Sequence, residues 1–590
     1  MERSTFTDES HTSQRLAFGL VGVITLLALV VRLFYLGDRV AHWDEARVGF
    51  WILDFIQTGN YSYSPVIHGP FYHIVTPIVF DFLGQTDRAM RLVPAIVSGL
   101  LPASALLFRK RLNSVATVVL AAFLAFDPLV VYYGRFMRGD PLVATFMFVA
   151  FGCFVWAYDT DDSFWMLVGT AFVALGCTTK ENALIYLLCW VGALALIFDQ
   201  RLLETRARGK SRLDYLRSLF DRSFDWLGRH GYVALLAIVE FFAIIIFFYG
   251  ERKNGSFYVS GENGGYIGFD SLLDPGLVFK FLSDSTAGVF MTFYNYWGNG
   301  SRSDHAYLSY LVDLFETIST SSMIVLALSV VGFVVYRYTD ERDRPLLTIT
   351  FAWGVVSLLG YPIFTDIKAP WAGVHVVIPL MVPAAAGASI VYQAVSQAIA
   401  SPKLLRVGTA SAVVVLLLVP MAVVGVDTVY ERPVEDGNPL VQYAQPADDL
   451  HPTLYDIERI GKENPGTDVL VYGTDLSRGN DSYQRPSCLG KKGWFDSLPL
   501  PWYFERSDLT VTCARSPTAL SNITGSPPVV IARADTVHYK ENNTTVTETI
   551  PPEELTDRYP SYDVRIKQLR TTDTKVAFLF DPAALNESST

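Results

Sequence analysis

Long apolar blocks alternate with short charged turns over the first 426 residues, and the alternation then stops. A helix needs about 20 apolar residues to cross the hydrocarbon core of a bilayer. Blocks of that kind at 16–36, 88–108, 114–133, 141–158, 164–180, 182–198, 232–249, 312–336, 345–363, 371–396 and 404–426 predict eleven spans. The block 67–84 is interrupted by His68, Pro70, His73 and Pro77. It reads as an interfacial helix, because counting it as a span would put the cluster Arg109-Lys110-Arg111 outside, against the preference of basic loops for the inner side. Residues 1–15 are polar and read as a disordered cytoplasmic tail. No small-residue cleavage site follows 16–36, so that block reads as a span and not as a signal peptide.

This order places the N-terminus in the cytoplasm and the C-terminus outside a plasma membrane. Residues 16–427 form the membrane domain, with a first external loop at 37–87, a cytoplasmic loop at 199–230 and an external loop at 250–310. The loop 199–230 carries 8 Lys/Arg against 5 acids, as an inner loop should. Asn-X-Ser/Thr tripeptides at Asn60, Asn254, Asn299, Asn480, Asn522, Asn542, Asn543 and Asn586 all fall in segments assigned outside. Residues 428–590 read as a soluble α/β domain: Tyr455–Lys462 has a helical pattern, and DVLVY (468–472), PVVIA (528–532) and VAFLF (576–580) read as buried strands. The fold class is thus a polytopic α-helical membrane protein of about eleven spans, with an interfacial first external loop and a C-terminal α/β domain.

Composition agrees: 51% of residues are hydrophobic and 18% charged, against roughly 25% charged in a typical soluble domain. The formal charge of −11 sits mostly in the tail, where 25 acids face 16 Lys/Arg from residue 427 onward. An acidic surface argues against a nucleic-acid partner. Cys153, Cys177 and Cys189 lie in apolar blocks, whereas Cys488 and Cys513 lie in the tail and are a candidate disulfide on an oxidising side.

The chemistry-bearing residues gather in turns assigned to the outer face, where ionisable side chains are functional candidates. Asp44-Glu45 follows the first span. Adjacent helical residues point in different directions, so one acid should face a site while the other caps, pairs or helps to bind a metal. YYGRFMRGD (132–140) brings Arg135, Arg138 and Asp140; Asp140 precedes Pro141 and reads as a helix cap. Thr179-Lys180-Glu181 is a tight turn in which a local Lys–Glu pair is the plain reading. DIKAPWAGVH (366–375) brings Lys368, Trp371 and His375 to one cavity. Arg138, Lys180 and Lys368 would form a cationic pocket beside one carboxylate, suited to a phosphate; that carboxylate would take a proton from an attacking hydroxyl.

WDEA (43–46), HGPFYH (68–73), RLVPAIVSGLL (91–101), RFMRGD (135–140), TKENA (179–183) and KAPWAGVHVVIP (368–379) together resemble the GT-C superfamily of polyprenyl-phosphate-sugar-dependent glycosyltransferases. The resemblance is strongest to its protein O-mannosyltransferase and aminoarabinose-transferase branch, and within that to archaeal flippase-activity-associated proteins. It spans roughly residues 16–400; the tail beyond 428 adds nothing to it. The resemblance implies Asp44 as the catalytic acid residue of the first external loop, with Glu45 beside it. It also implies His68, Arg135, Arg138, Asp140, Lys180, Lys368, Trp371 and His375 as residues that bind a lipid-phosphate-linked sugar. Gly69 stands where relatives often have Pro. The acceptor would be a glycan or a protein, and membrane lipid the surrounding partner. Asp44, Glu45 and His68 are ligand types for a divalent cation, and metal dependence stays open, as does the oligomeric state. A flippase role or a non-catalytic scaffold are the alternatives. Glu240, inside a span, is the main ionisable residue that would suit transport.

Overall fold

The computed structural model describes residues 11–209, 211–261, 264–298, 305–338, 345–365, 367–398, 412, 419–447, 450–464, 466–476, 496–541, 544–569 and 575–587. The chain forms two compact units. One comprises Met1–Tyr35, Gly59–Val75 and Arg91–Arg432; the other comprises Leu36–Thr58, Thr76–Met90 and Pro433–Thr590.

The helices begin α1 (His11–Leu33), α2 (Trp43–Thr58), α3 (Phe71–Leu83), α4 (Asp87–Leu100), α5 (Ser114–Phe126), α6 (Pro128–Tyr133), α7 (Gly139–Thr160), α8 (Phe164–Thr179), α9 (Ala183–Ala207) and α10 (Arg212–Tyr249). They continue with α11 (Pro275–Ser283), α12 (Val289–Phe293), α13 (Tyr307–Ser321), α14 (Met323–Tyr338), α15 (Pro345–Phe364) and α16 (Gly373–Ala398). Among the described residues, seven helical stretches are long and apolar enough to cross a membrane, and an eighth is counted if α13 and α14, bent by 96°, are one span.

The sequence pattern led to eleven, and the differences have local causes. The block 114–133 is broken at Asp127, whose side chain accepts the Val130 N–H at 3.2 Å just before Pro128 starts a new helix. The block 312–336 bends at Ser322, whose hydroxyl donates to Asp127 at 3.0 Å, so the break and the bend are tied together. α8, with 16 residues, is shorter than a usual span. Most of 404–426 lies outside the described residues. The 199–230 stretch is helical over most of its length, as the ends of α9 and α10. Residues 250–310 hold short strands β1 (Arg252–Lys253), β2 (Ser256–Val259) and β3 (Gly265–Tyr266) besides α11 and α12.

In the first unit the core follows from small residues and buried caps. A Cβ on Gly332 of α14 would stand 2.0 Å from the Pro383 carbonyl oxygen of α16, and one on Gly387 would stand 2.3 Å from that of Leu328. Two helices approach this closely in a membrane only through such residues. Arg32 is fully buried and donates to the carbonyls of Leu124 and Ala125 at the end of α5, at 3.1 and 2.8 Å. It satisfies acceptors that a helix C-terminus leaves open.

The second unit is built on a five-stranded sheet in the order β5 (Val511–Ala514), β4 (Val469–Tyr472), β6 (Val529–Arg533), β10 (Lys575–Phe580), β9 (Asp563–Gln568). β4 runs parallel to both its neighbours, whereas β10 is antiparallel to β6 and β9. All four residues of β4 are buried, as a strand in the middle of a covered sheet requires. A hairpin of β7 (Asp535–Glu541) and β8 (Thr544–Ile550) stands outside it. Cys513 on β5 is disulfide-bonded; Cys488, its expected partner, lies outside the described residues, and Cys153, Cys177 and Cys189 are free thiols.

This unit also contains α2 and the start of α4. Asp87 accepts from the indole N–H of Trp502 at 2.8 Å, the hydroxyl of Tyr503 at 2.9 Å and the Arg506 guanidinium at 2.7 Å. Arg506 also makes two bonds to Glu458, at 2.5 and 2.9 Å. Burial pulls the Arg506 pKa down, but Asp87 and Glu458 outweigh it and hold it above the ordinary value.

Candidate functional site

The first unit gathers its ionisable residues where α7 begins and α8 ends. Lys180 follows the last residue of α8, and its backbone N–H bonds the Gly176 carbonyl. Asp140 stands in the first turn of α7. Each charge sits at the helix pole that favours it, a cation at a C-terminus and a carboxylate at an N-terminus. The Lys180 ammonium lies 2.8 and 3.0 Å from the two Asp140 oxygens. His375 Nε2 is 3.1 Å from Asp140 Oδ1, and Arg138 Nε is 3.5 Å from Oδ2. Asp140 is only 1% exposed. Its carboxylate is therefore spent on ion pairs and not on capping α7, as the position before Pro141 had suggested.

The other partners are fixed in turn. The Tyr186 hydroxyl meets His375 Nδ1, and the Tyr361 ring stacks on the imidazole at 4.5 Å. A neutral imidazole with its proton on Nε2 satisfies both sides, donating to Asp140 and accepting from Tyr186. The Arg138 guanidinium lies 3.9 Å over the Trp371 ring, a cation–π contact. Four of the sequence candidates, Arg138, Asp140, Lys180 and His375, thus meet, with Trp371 beneath the arginine.

A second group adjoins this one through the Lys180-Glu181 turn. Glu181 does not pair with Lys180. It accepts from the Tyr63 hydroxyl at 2.6 Å and lies 3.2 Å from His68 Nδ1. Burial pushes the Glu181 carboxyl up, but the bond and charge of His68 and the Tyr63 hydroxyl outweigh it and hold it below the ordinary value. His68 has φ of +63°, a strained conformation for a residue with a side chain. The next residue must be glycine, because a Cβ on Gly69 would stand 2.1 Å from the Thr178 carbonyl oxygen. The Tyr72 hydroxyl then donates to the Arg138 carbonyl at 2.8 Å, tying the turn to the first group.

Two candidates are placed elsewhere. Arg135 donates to the carbonyls of Val31, Arg32, Phe34 and Tyr35 at 3.1, 3.2, 2.5 and 2.9 Å. It closes the C-terminal end of α1, a structural task. Lys368 is 44% exposed and donates to Asp313 at 2.5 Å and Ser309 at 2.7 Å. It does not join Trp371 and His375 at Asp140. Asp366, at the head of the same motif, lies outside the described residues.

Asp44 and Glu45 belong to the second unit and divide their tasks. Glu45 is fully buried and accepts the His42 backbone N–H at 3.0 Å, the return bond of a capping box. Asp44, whose side chain is 19% exposed, accepts from Arg47 at 2.8 Å. His42 Nδ1 accepts the Asp44 backbone N–H at 3.0 Å while Nε2 faces the Tyr443 carbonyl at 2.9 Å, so the neutral Nε2–H form fits both. Among the described residues no group of three or more His, Cys, Asp or Glu is arranged to hold a metal ion. Sequence reasoning missed Glu181 as the partner of His68, and Tyr186 and Tyr361 as the residues that fix His375. Their spacing gives no signal, because every partner lies on a different helix or turn.

Residues 67–209 match the family of dolichyl-phosphate-mannose-protein mannosyltransferases, a segment that holds His68, Arg135, Arg138, Asp140 and Lys180. Residues 450–581 match the C-terminal domain of the Agl23 flippase-associated proteins. The tail, which had seemed uninformative, therefore carries a family signature of its own. No curated protein matches the chain in sequence. Among solved structures the chain is similar to ArnT from Cupriavidus metallidurans in the apo state, with 12% identity, a TM-score of 0.54, and 96% of this chain and 99% of that one covered. A further similar structure is the archaeal oligosaccharyltransferase AglB from Archaeoglobus fulgidus in complex with an inhibitory peptide and a dolichol-phosphate, with 12% identity, a TM-score of 0.49, and 93% and 77% covered. The chain thus shares the fold of ArnT, with a stretch of its helical unit that matches the dolichyl-phosphate-mannose-protein mannosyltransferases and a C-terminal stretch that matches the Agl23 flippase-associated domain.

Proposed function

We propose that the chain transfers a sugar from a polyprenyl (dolichyl) phosphate to a hydroxyl acceptor at the outer face of the plasma membrane, with inversion at the anomeric carbon. The acceptor is a lipid-linked glycan or a protein. The observation that carries this reading is the buried cluster of Lys180, Arg138 and His375 on Asp140, inside or adjoining the segment that matches the mannosyltransferase family. Two permanent cations around one carboxylate are suited to a lipid phosphate, with Arg138 able to offer two parallel N–H bonds.

In this reading the acceptor oxygen attacks the anomeric carbon as the bond from that carbon to the phosphate oxygen breaks. The acceptor proton passes to the Asp44 carboxylate, and the electron pair leaves with the phosphate. A phosphate is a stable anion, so it needs cations and no strong general acid. Glu45 keeps the start of α2 in place, and His68 with Glu181 fixes the turn beside Lys180. The N-terminus is cytoplasmic and residues 428–590 are extracytoplasmic.

The match of 450–581 to a flippase-associated domain favours a second reading, in which the chain assists movement of a lipid-linked sugar. Transfer of label from polyprenyl-phosphate sugars into lipid and protein fractions separates the two. Membranes would carry the wild type or Asp44→Asn, each with and without chelator. Label that disappears only in the mutant supports transfer, and the labelled fraction names the acceptor. No label from either membrane, across the common donors, overturns it in favour of the second reading.

A further inference from the structure

Far from Asp140 along α7 lies a cavity of about 1210 Å³ with Arg111, Phe151, Phe154 and Tyr158 in its wall. Along this helix Phe151, the lining residue of α7 nearest to Asp140 in sequence, stands roughly 17 Å from it and Tyr158 roughly 27 Å, at 1.5 Å per residue. The cavity is therefore separate from the cluster described above.

Its wall changes character along a single helix. α9 contributes Trp190, Leu194 and Ile197, then Arg201, Thr205 and Arg208. Steps of three and four put all six on one face, apolar in its first half and polar with cations in its second. The apolar half is completed by Phe151, Phe154 and Leu346 from α7 and α15. The polar half is completed by α10, through Ser218 and Arg222 one turn apart.

The cations here outnumber the acids. Arg111, Arg201, Arg208 and Arg222 line the cavity against Glu204 and Asp214. Arg111 is engaged with Asp159, and Arg208 lies 3.8 Å from Glu204 with its side chain 72% exposed. Arg201 and Arg222 have no acidic partner among the described residues; Arg222 bonds only Ser218 of its own helix. Leu194, in the apolar half, is 55% exposed. A long cavity with an oily end and an arginine end fits a molecule divided in the same way.

We propose that this cavity binds a membrane lipid with an anionic phosphate headgroup. The hydrocarbon chain lies along Phe151, Phe154, Trp190 and Leu194. The phosphate sits among Arg201, Arg208 and Arg222, where arginine N–H groups bond phosphate oxygens. The site does not depend on sugar transfer and would serve either reading of the chain.

Equilibrium binding to the purified full-length chain in neutral detergent tests this, with radiolabelled dioleoyl phosphatidic acid as probe, dioleoyl phosphatidylcholine as the zwitterionic comparison and inorganic phosphate as competitor. Phosphatidic acid should saturate one site and bind at least about tenfold tighter than phosphatidylcholine, a factor worth about 1.4 kcal/mol. The pair Arg201→Gln and Arg222→Gln should weaken it about tenfold or more. Leu194→Trp, which fills the apolar half and leaves every arginine, should weaken it as well. Arg229→Gln, outside the cavity, should not. Equal binding of both lipids, unchanged binding in the arginine pair, or displacement by millimolar inorganic phosphate with Leu194→Trp silent would overturn the proposal; the last would mark a site for a free anion.

Discussion

The ammonium of Lys180 reaches both carboxylate oxygens of Asp140, at 2.8 and 3.0 Å, across 40 positions of sequence and between the ends of two helices. Both residues are buried. Removing one member of such a pair leaves the other uncompensated, at a cost of about 3–5 kcal/mol. Lys180→Met should therefore destabilise the chain by that order, whereas Lys180→Met with Asp140→Asn should cost less than the sum of the single changes. Denaturation in detergent micelles measures all three. Additive losses would show that the pair is not an energetic unit.

Asp44→Asn should lower sugar transfer by about 10²–10⁴-fold, the usual contribution of a general base, with unchanged thermal stability. Glu45→Ala, which removes the acceptor for the His42 N–H, should behave oppositely, weakening the start of α2 by ~1 kcal/mol with a smaller effect on transfer. The two variants assayed side by side check the division of labour between adjacent acids. Equal loss of transfer without loss of stability in both would contradict it.

Gly69→Ala places a methyl where the Thr178 carbonyl stands. The turn must move, at a cost of about 1–3 kcal/mol, and His68 should lose its approach to Glu181. Gly19→Ala, on α1 with nothing within 4 Å of the new Cβ, is the control and should be neutral or slightly stabilising. Comparison of the two melting curves decides the matter.

Glu181 makes stability depend on acid pH. Its folded pKa lies below the ordinary carboxylate value, so the unfolded chain binds its proton more readily. The stabilisation is complete above the unfolded pKa, near 4.3, and is lost as pH falls through the lower folded value. Glu181→Gln should flatten stability between pH 5 and the acid limit, relative to wild type, while shifting the curve down at neutral pH. Parallel acid titrations of both proteins would contradict this if their slopes coincided.

Much of the helical plan was legible in the sequence, because apolar blocks of span length have few other fates. The starts of α5, α8 and α15 and the strands β4, β6 and β10 fall within a few residues of their patterns. Breaks were not legible, since Asp127 and Ser322 look like tolerated polar residues until each is seen to bind the other. At the site, residue types pointed to the right turns but not to partners. Lys180 was read with its neighbour Glu181, yet Asp140 takes the lysine and His68, 113 positions away, faces the glutamate. Arg135 looked like an anion ligand, and only the open carbonyls of α1 reveal its use. The segments 36–58 and 76–90 group with the C-terminal residues, a long-range association without any periodic mark.

That grouping has a consequence for biosynthesis. The Ala41 N–H is satisfied by the hydroxyl of Tyr503, 462 positions later, and Asp87 waits for Trp502, Tyr503 and Arg506. At about 5–20 residues per second of synthesis, the first loop stays unmatched for roughly 20–90 seconds while the intervening helices are made. A ribosome stalled before residue 500 would leave a chain whose membrane helices are made but whose first loop has no lid. Quality control acting on such nascent chains would have Asp87 and Ala41 as its exposed marks, and the last stretch of translation would decide whether the earliest loop survives.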